Sequence, residues 1–66
     1  MRNPNRLDSF YETMKNIHKK EFPDWRFGQL MSNFFGWLYQ NKRIDCFFPE
    51  EDDMIAYLKE FAGEML

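Results

Sequence analysis

Apolar residues recur along this chain with helical spacing. Leu7, Phe10, Tyr11, Met14, Ile17 and His18 are separated by three, one, three, three and one positions, which sets them on one face of a helix. Asn3 followed by Pro4 supplies a start signal, since Asn caps free amides and Pro at the first helical position forfeits no useful donor. Lys19 and Lys20 suit the negative end of the helix dipole, and Pro23 blocks continuation. A first helix is predicted over about 4–20.

Asp24 is the next candidate cap, opening a second helix over about 25–40. An advance of about 100° per residue sorts this helix into three sectors. Phe27, Leu30, Met31, Phe34, Phe35, Trp37 and Leu38 make an apolar face wide enough for two neighbours. Arg26, Gln29, Asn33 and Gln40 make a narrow polar stripe. Gly28, Ser32 and Gly36, four residues apart, make a groove of small side chains.

Asn41–Phe48 reads as a connector, polar first and then apolar at Cys46, Phe47 and Phe48, a group expected to fold back over the core. Pro49 fits a first helical position, Glu50, Glu51, Asp52 and Asp53 fit the first turn, and Met54, Ile55, Leu58, Phe61, Ala62 and Met65 form a core stripe. A third helix is predicted over about 49–64. Short connections make neighbours antiparallel, so the expectation is an all-α, compact three-helix bundle, up-down-up, with the whole chain 1–66 as one domain. In that arrangement Arg2 and Arg6 share an end with Glu50 to Asp53, while Lys19, Lys20 and Arg26 face Glu60 and Glu64.

Composition supports this picture. The chain lacks Val and has one Thr, while Leu, Met, Lys and Glu are common, which disfavours β-structure. Its 66 residues include 13 aromatics, more than so small a core readily hides, so some are expected to remain exposed as an interaction patch. Net charge is −2 but uneven: residues 1–43 carry eight basic and four acidic side chains, residues 44–66 one and seven. The third helix has only Lys59 as a cation, which argues against direct nucleic-acid contact. A single cysteine, no apolar run long enough for a bilayer and no secretory leader pattern point to a cytoplasmic protein without a membrane segment.

Candidate chemistry is sparse. The acidic edge Glu50, Glu51, Asp52 and Asp53 lacks the alternating ligands and turn glycine of a calcium loop, and reads as a favoured first turn or a docking edge. His18 and Cys46 read as packing residues, with no nucleophile and base at a telling spacing. No catalytic residue, metal or cofactor is expected. Arg26 is more informative, because a cation in a first turn opposes the dipole. Its counter-charge is either internal, from Glu21, Asp24, Glu60 or Glu64, or an anionic ligand or partner carboxylate held with Gln29 and Asn33. Gly28 and Gly36 each cost about 1 kcal/mol against Ala, which calls for close packing of the Gly28, Ser32, Gly36 groove against a neighbouring helix or another chain.

Pro23-Asp24-Trp25-Arg26-Phe27-Gly28-Gln29-Leu30, followed by Asn33 and later by Phe48-Pro49-Glu50-Glu51-Asp52-Asp53, resembles a group of very short bacterial and phage proteins of unknown function. The resemblance implies no activity, cofactor or catalytic residue. It implies a prophage or mobile-element setting, in which small proteins often bind and block larger ones.

The sequence therefore points to a non-enzymatic module binding another protein, with Arg26, Gln29, Asn33, Trp25 and Trp37 as contact candidates. Two further readings are an inhibitor docking its acidic end on a host protein and a binder of small anions or nucleotides. A homodimer through helix 2 is also compatible with the pattern.

Overall fold

The computed structural model describes residues 2–65 as three α-helices, α1 Arg6–Glu21, α2 Phe27–Lys42 and α3 Glu51–Met65, with no strand among the described residues. The all-α three-helix bundle is thus the observed fold. Its helix starts differ from the sequence signals by about two residues, and each offset has a local cause.

Before α1, the amides of Arg6, Leu7 and Asp8 donate to carbonyls three residues back, those of Asn3, Pro4 and Asn5. A tight turn therefore precedes the regular helix. Asn3 does accept an amide, but it is that of Asn5, at 3.0 Å. Asp24 lies in the turn that follows Phe22 and does not cap α2. Arg26 takes the cap position in an extended conformation, and the Gln29 side chain accepts the Arg26 amide at 2.8 Å. Before α3, the Glu50 carbonyl accepts the Met54 amide, so regular helix begins at Glu51, two residues after Pro49.

The buried core comprises Leu30, Phe34, Trp37 and Leu38 of α2, Leu58, Phe61 and Ala62 of α3, and Phe22 just after α1. Phe61 is its hub, with ring centroids 5.6 Å from Phe22, 5.5 Å from Phe34 and 5.6 Å from Trp37. α1 contributes no fully buried residue. Its apolar face is only half covered.

α1 and α3 run in the same direction: Arg6 bonds Glu51 where both begin, and Phe22 meets Phe61 where both end. α2 returns at an angle to them. Lys42, its last residue, pairs with Glu60 at 2.9 Å, and Glu60 lies about 13.5 Å of helix rise beyond the start of α3. α3 consequently packs against both partners, whereas direct packing of α1 on α2 is slight.

The expected charge pairing holds at one end, in Arg2–Glu50 and Arg6–Glu51. It fails at the other. The crossing of α2 delivers Glu60 to Lys42, and Glu64 accepts a hydrogen bond from the Trp37 indole N–H at 3.3 Å. Lys19, Lys20 and Arg26 are exposed and form none of the ion pairs among the described residues.

Candidate functional site

An open groove lies between α1 and α2, because these two helices diverge while both rest on α3. Its volume is about 310 Å³, and its walls are mostly apolar: Phe10, Tyr11 and Met14 from α1, Phe27, Met31 and Phe35 from α2, Cys46 and Phe47 from the connector, and Met54 and Ile55 from α3, with Glu51 as the charged member. The wide apolar face of α2 explains it. α3 covers the sector of Leu30, Phe34, Trp37 and Leu38, and the adjoining sector of Phe27, Met31 and Phe35 keeps only partial cover.

Large aromatic rings stand around the groove. Phe27 is 66% exposed, Tyr11 59% and Phe47 82%, with Phe48 at 73% stacked edge-on against Phe47. Tyr39, eight residues beyond Met31 on α2, is exposed outside the groove lining, with the Arg43 guanidinium over its ring. Tyr11, Phe27 and Phe47 line the groove itself, and Phe48 extends this apolar surface through its contact with Phe47.

The exposure of Phe47 and Phe48 corrects the expectation that they cover the core. Asp45 turns the connector outward: its carboxylate accepts the Phe47 amide at 2.9 Å and its carbonyl accepts the Phe48 amide at 3.2 Å. This is an Asx turn. Arg43 enters it in the left-handed region, at φ 56° and ψ 37°, after donating its amide to Tyr39. Cys46 is carried out with the two rings and is an exposed thiol on the groove wall, rather than a packed apolar group.

Of the two readings of the small-residue groove, close packing against a helix of the same chain is not found. Gly28, Ser32 and Gly36 are exposed, and a Cβ added at either glycine would meet no atom within 4 Å. Among the described residues no neighbouring helix comes within that distance of Gly28 or Gly36. The furrow runs open along α2 beside the Phe27, Met31, Phe35, Tyr39 row.

The five candidate contact residues divide. Trp37 is buried, held by Phe34, Phe61 and the Glu64 carboxylate, and belongs to the core. Trp25 is half-buried, its ring 4.6 Å from Phe22 and its carbonyl 2.7 Å from His18 Nε2. Since a carbonyl only accepts, Nε2 carries the hydrogen; His18 thereby ties the α1–α2 turn. Arg26, Gln29 and Asn33 are exposed on one side of α2. Gln29 is occupied by its capping bond, and Asn33 lines a shallow cavity with Trp25, Ser32 and Gly36 that Arg26 does not join.

At the acidic edge, Glu50 and Glu51 are engaged by Arg2 and Arg6, leaving Asp52 and Asp53 exposed without a partner among the described residues. The hydrogen bond from Arg6 holds the Glu51 carboxyl below the usual glutamate range. Its hydrogen bond to Glu60 raises the Lys42 ammonium above the usual lysine value. Among the described residues no group of three or more His, Cys, Asp or Glu side chains is placed to hold a metal ion, and no helix is long and apolar enough to cross a membrane.

Reading from sequence placed Phe27, Met31 and Phe35 in the core face and so missed the groove they line. The available signal was the width of that face, which needs two full neighbours. Comparison with protein-family models, with curated proteins and with solved structures finds no match.

Proposed function

We propose that this protein is a non-enzymatic docking module that binds protein through the aromatic groove between α1 and α2. The observation carrying this reading is the cluster of Tyr11, Phe27, Phe47 and Phe48, exposed around a groove with apolar walls. Aromatic and Met side chains are the residues enriched in protein contacts, and their apolar bodies release ordered water on burial. Met14, Met31 and Met54 add adaptable walls able to follow an incoming side chain. The polar stripe of Arg26, Gln29 and Asn33 lies outside the lining of this groove. A prophage or mobile-element setting, and an inhibitory role within it, would suit a module of this kind.

Immobilised wild-type chain, Phe47→Glu and Arg26→Ala provide the test. Phe47 is too exposed for its replacement to disturb the core, so a helical spectrum equal to wild type is expected in both variants. Loss of bound protein with Phe47→Glu and retention with Arg26→Ala is the expected result. Capture that survives Phe47→Glu but fails with Arg26→Ala overturns the groove reading in favour of the polar stripe.

A further inference from the structure

We infer that the partner seated on this face is a second copy of the chain, packed about a two-fold axis on the Phe27, Met31, Phe35, Tyr39 row of α2. The inference rests on the groove face being a docking surface and names what covers it.

The first argument is area. At about 200 Å² per aromatic side chain, the exposed fractions of Tyr11, Phe27, Tyr39, Phe47 and Phe48 amount to roughly 700 Å². The largest apolar patch on a typical monomer is about 300–600 Å², and a stable interface needs about 800 Å² from each partner. These rings alone nearly supply it, and the half-buried Met31 and Phe35 beside them extend the same surface.

The second argument is shape. Phe27, Met31, Phe35 and Tyr39 are spaced by four and form a ridge, and Gly28, Ser32 and Gly36 beside them form the matching furrow. Ridges and furrows at four-residue spacing interdigitate in the commonest class of helix packing. The furrow is empty within the chain. A two-fold axis sets the ridge of each copy in the furrow of the other, so one surface satisfies both sides.

The third argument is charge. Outside the four ion pairs, the end where α1 and α3 begin carries Asp8, Asp52 and Asp53, whereas the end where they finish carries Lys19, Lys20, Arg26 and Lys59 against Glu21, Asp24 and Glu64, and Arg43 and Asp45 of the connector offset each other. The first end is strongly acidic and the second slightly basic. A two-fold axis perpendicular to α1 and α3 brings unlike ends of two copies together, and complementary ends steer encounter and fix orientation.

Sedimentation equilibrium of the full chain tests this, with wild type, Gly28→Leu/Gly36→Leu and Lys19→Glu/Lys20→Glu compared at low and high salt. Wild type is expected at twice the chain mass at high concentration, dissociating on dilution. The Cβ at either position meets open space in the monomer, so the first variant is expected to keep its helical spectrum while self-association weakens by about tenfold or more, equivalent to about 1.4 kcal/mol. The charge reversal weakens association at low salt, with the difference shrinking as salt rises. Wild type that stays monomeric at every concentration overturns the inference, and so does Gly28→Leu/Gly36→Leu associating as tightly as wild type. A monomeric wild type that still captures another protein through Phe47 overturns the second copy alone; monomer together with capture independent of Phe47 overturns the docking groove as well.

Discussion

Two glycines inside α2 offer a quantitative test of how this molecule is packed. Gly28 and Gly36 both have negative φ, and the space where a Cβ would stand is empty to 4 Å. Replacement by alanine therefore adds no clash and no strain, and removes the backbone entropy that glycine loses on entering a helix. Each substitution should stabilise by about 0.8–1 kcal/mol. The sites are about 12 Å apart along the helix, far enough for their effects to add. Gly28→Ala/Gly36→Ala should thus gain about 2 kcal/mol, a rise in Tm of roughly 8–16 °C for a domain of this size. The assay is urea and thermal unfolding followed by helical circular dichroism, at a concentration low enough that any self-association is negligible. Had α1 or α3 approached these glycines, as close packing within the chain requires, the same alanines would force the helices apart. Destabilisation by either substitution would refute the reasoning.

Other parts of the structure predict different responses. Phe61→Ala removes the ring shared by Phe22, Phe34 and Trp37 and should cost about 3–5 kcal/mol, comparable to the whole stability expected of so short a chain; loss of cooperative unfolding would show it, and a near-native unfolding curve would contradict it. Glu51 is held ionised by Arg6, so the pair contributes stability above the ordinary glutamate range and loses it as pH falls through the depressed value. Glu51→Gln should flatten the acid limb of a stability profile, and an unchanged limb would count against the pair. Lys42 works in the opposite direction: its stabilisation by Glu60 is present below the ordinary lysine value and is lost as pH rises beyond it, so Glu60→Gln should flatten the alkaline limb. Cys46 should react stoichiometrically with a thiol reagent in the native state, without denaturant; protection of the thiol would contradict its exposure.

Much of the fold was legible in the chain, for identifiable reasons. The spacing of Leu7 to His18 and of Met54 to Met65 carries a single helical stripe each, and those helices formed where the stripes run. Pairing of Arg2 and Arg6 with the start of α3 followed from direction alone, since parallel helices bring their first turns together. The second end was not legible, because the angle at which α2 crosses α3 depends on how Phe34, Trp37 and Phe61 interlock, and it is that angle which hands Glu60 to Lys42. Trp37 looked like a contact residue because sequence marks it as large and aromatic, but its indole N–H finds Glu64 only after the helices cross. Hydrophobicity alone sends Phe47 and Phe48 inward. The Asp45 carboxylate, two residues before Phe47, was the signal that the chain turns outward there. The groove escaped for a related reason: periodicity defines the apolar width of α2, while the amount of that width covered depends on how far α1 diverges.

The most direct test of the central claim is a concentration series of backbone ¹H–¹⁵N correlation spectra of the isotopically labelled full chain, from low micromolar to sub-millimolar. A docking face that takes a second copy predicts progressive shifts at Tyr11, Phe27, Met31, Phe35, Tyr39 and Phe47, with Leu58 and Phe61 in the core unmoved. Spectra independent of concentration, or shifts gathered instead on Arg26, Gln29 and Asn33, would contradict it.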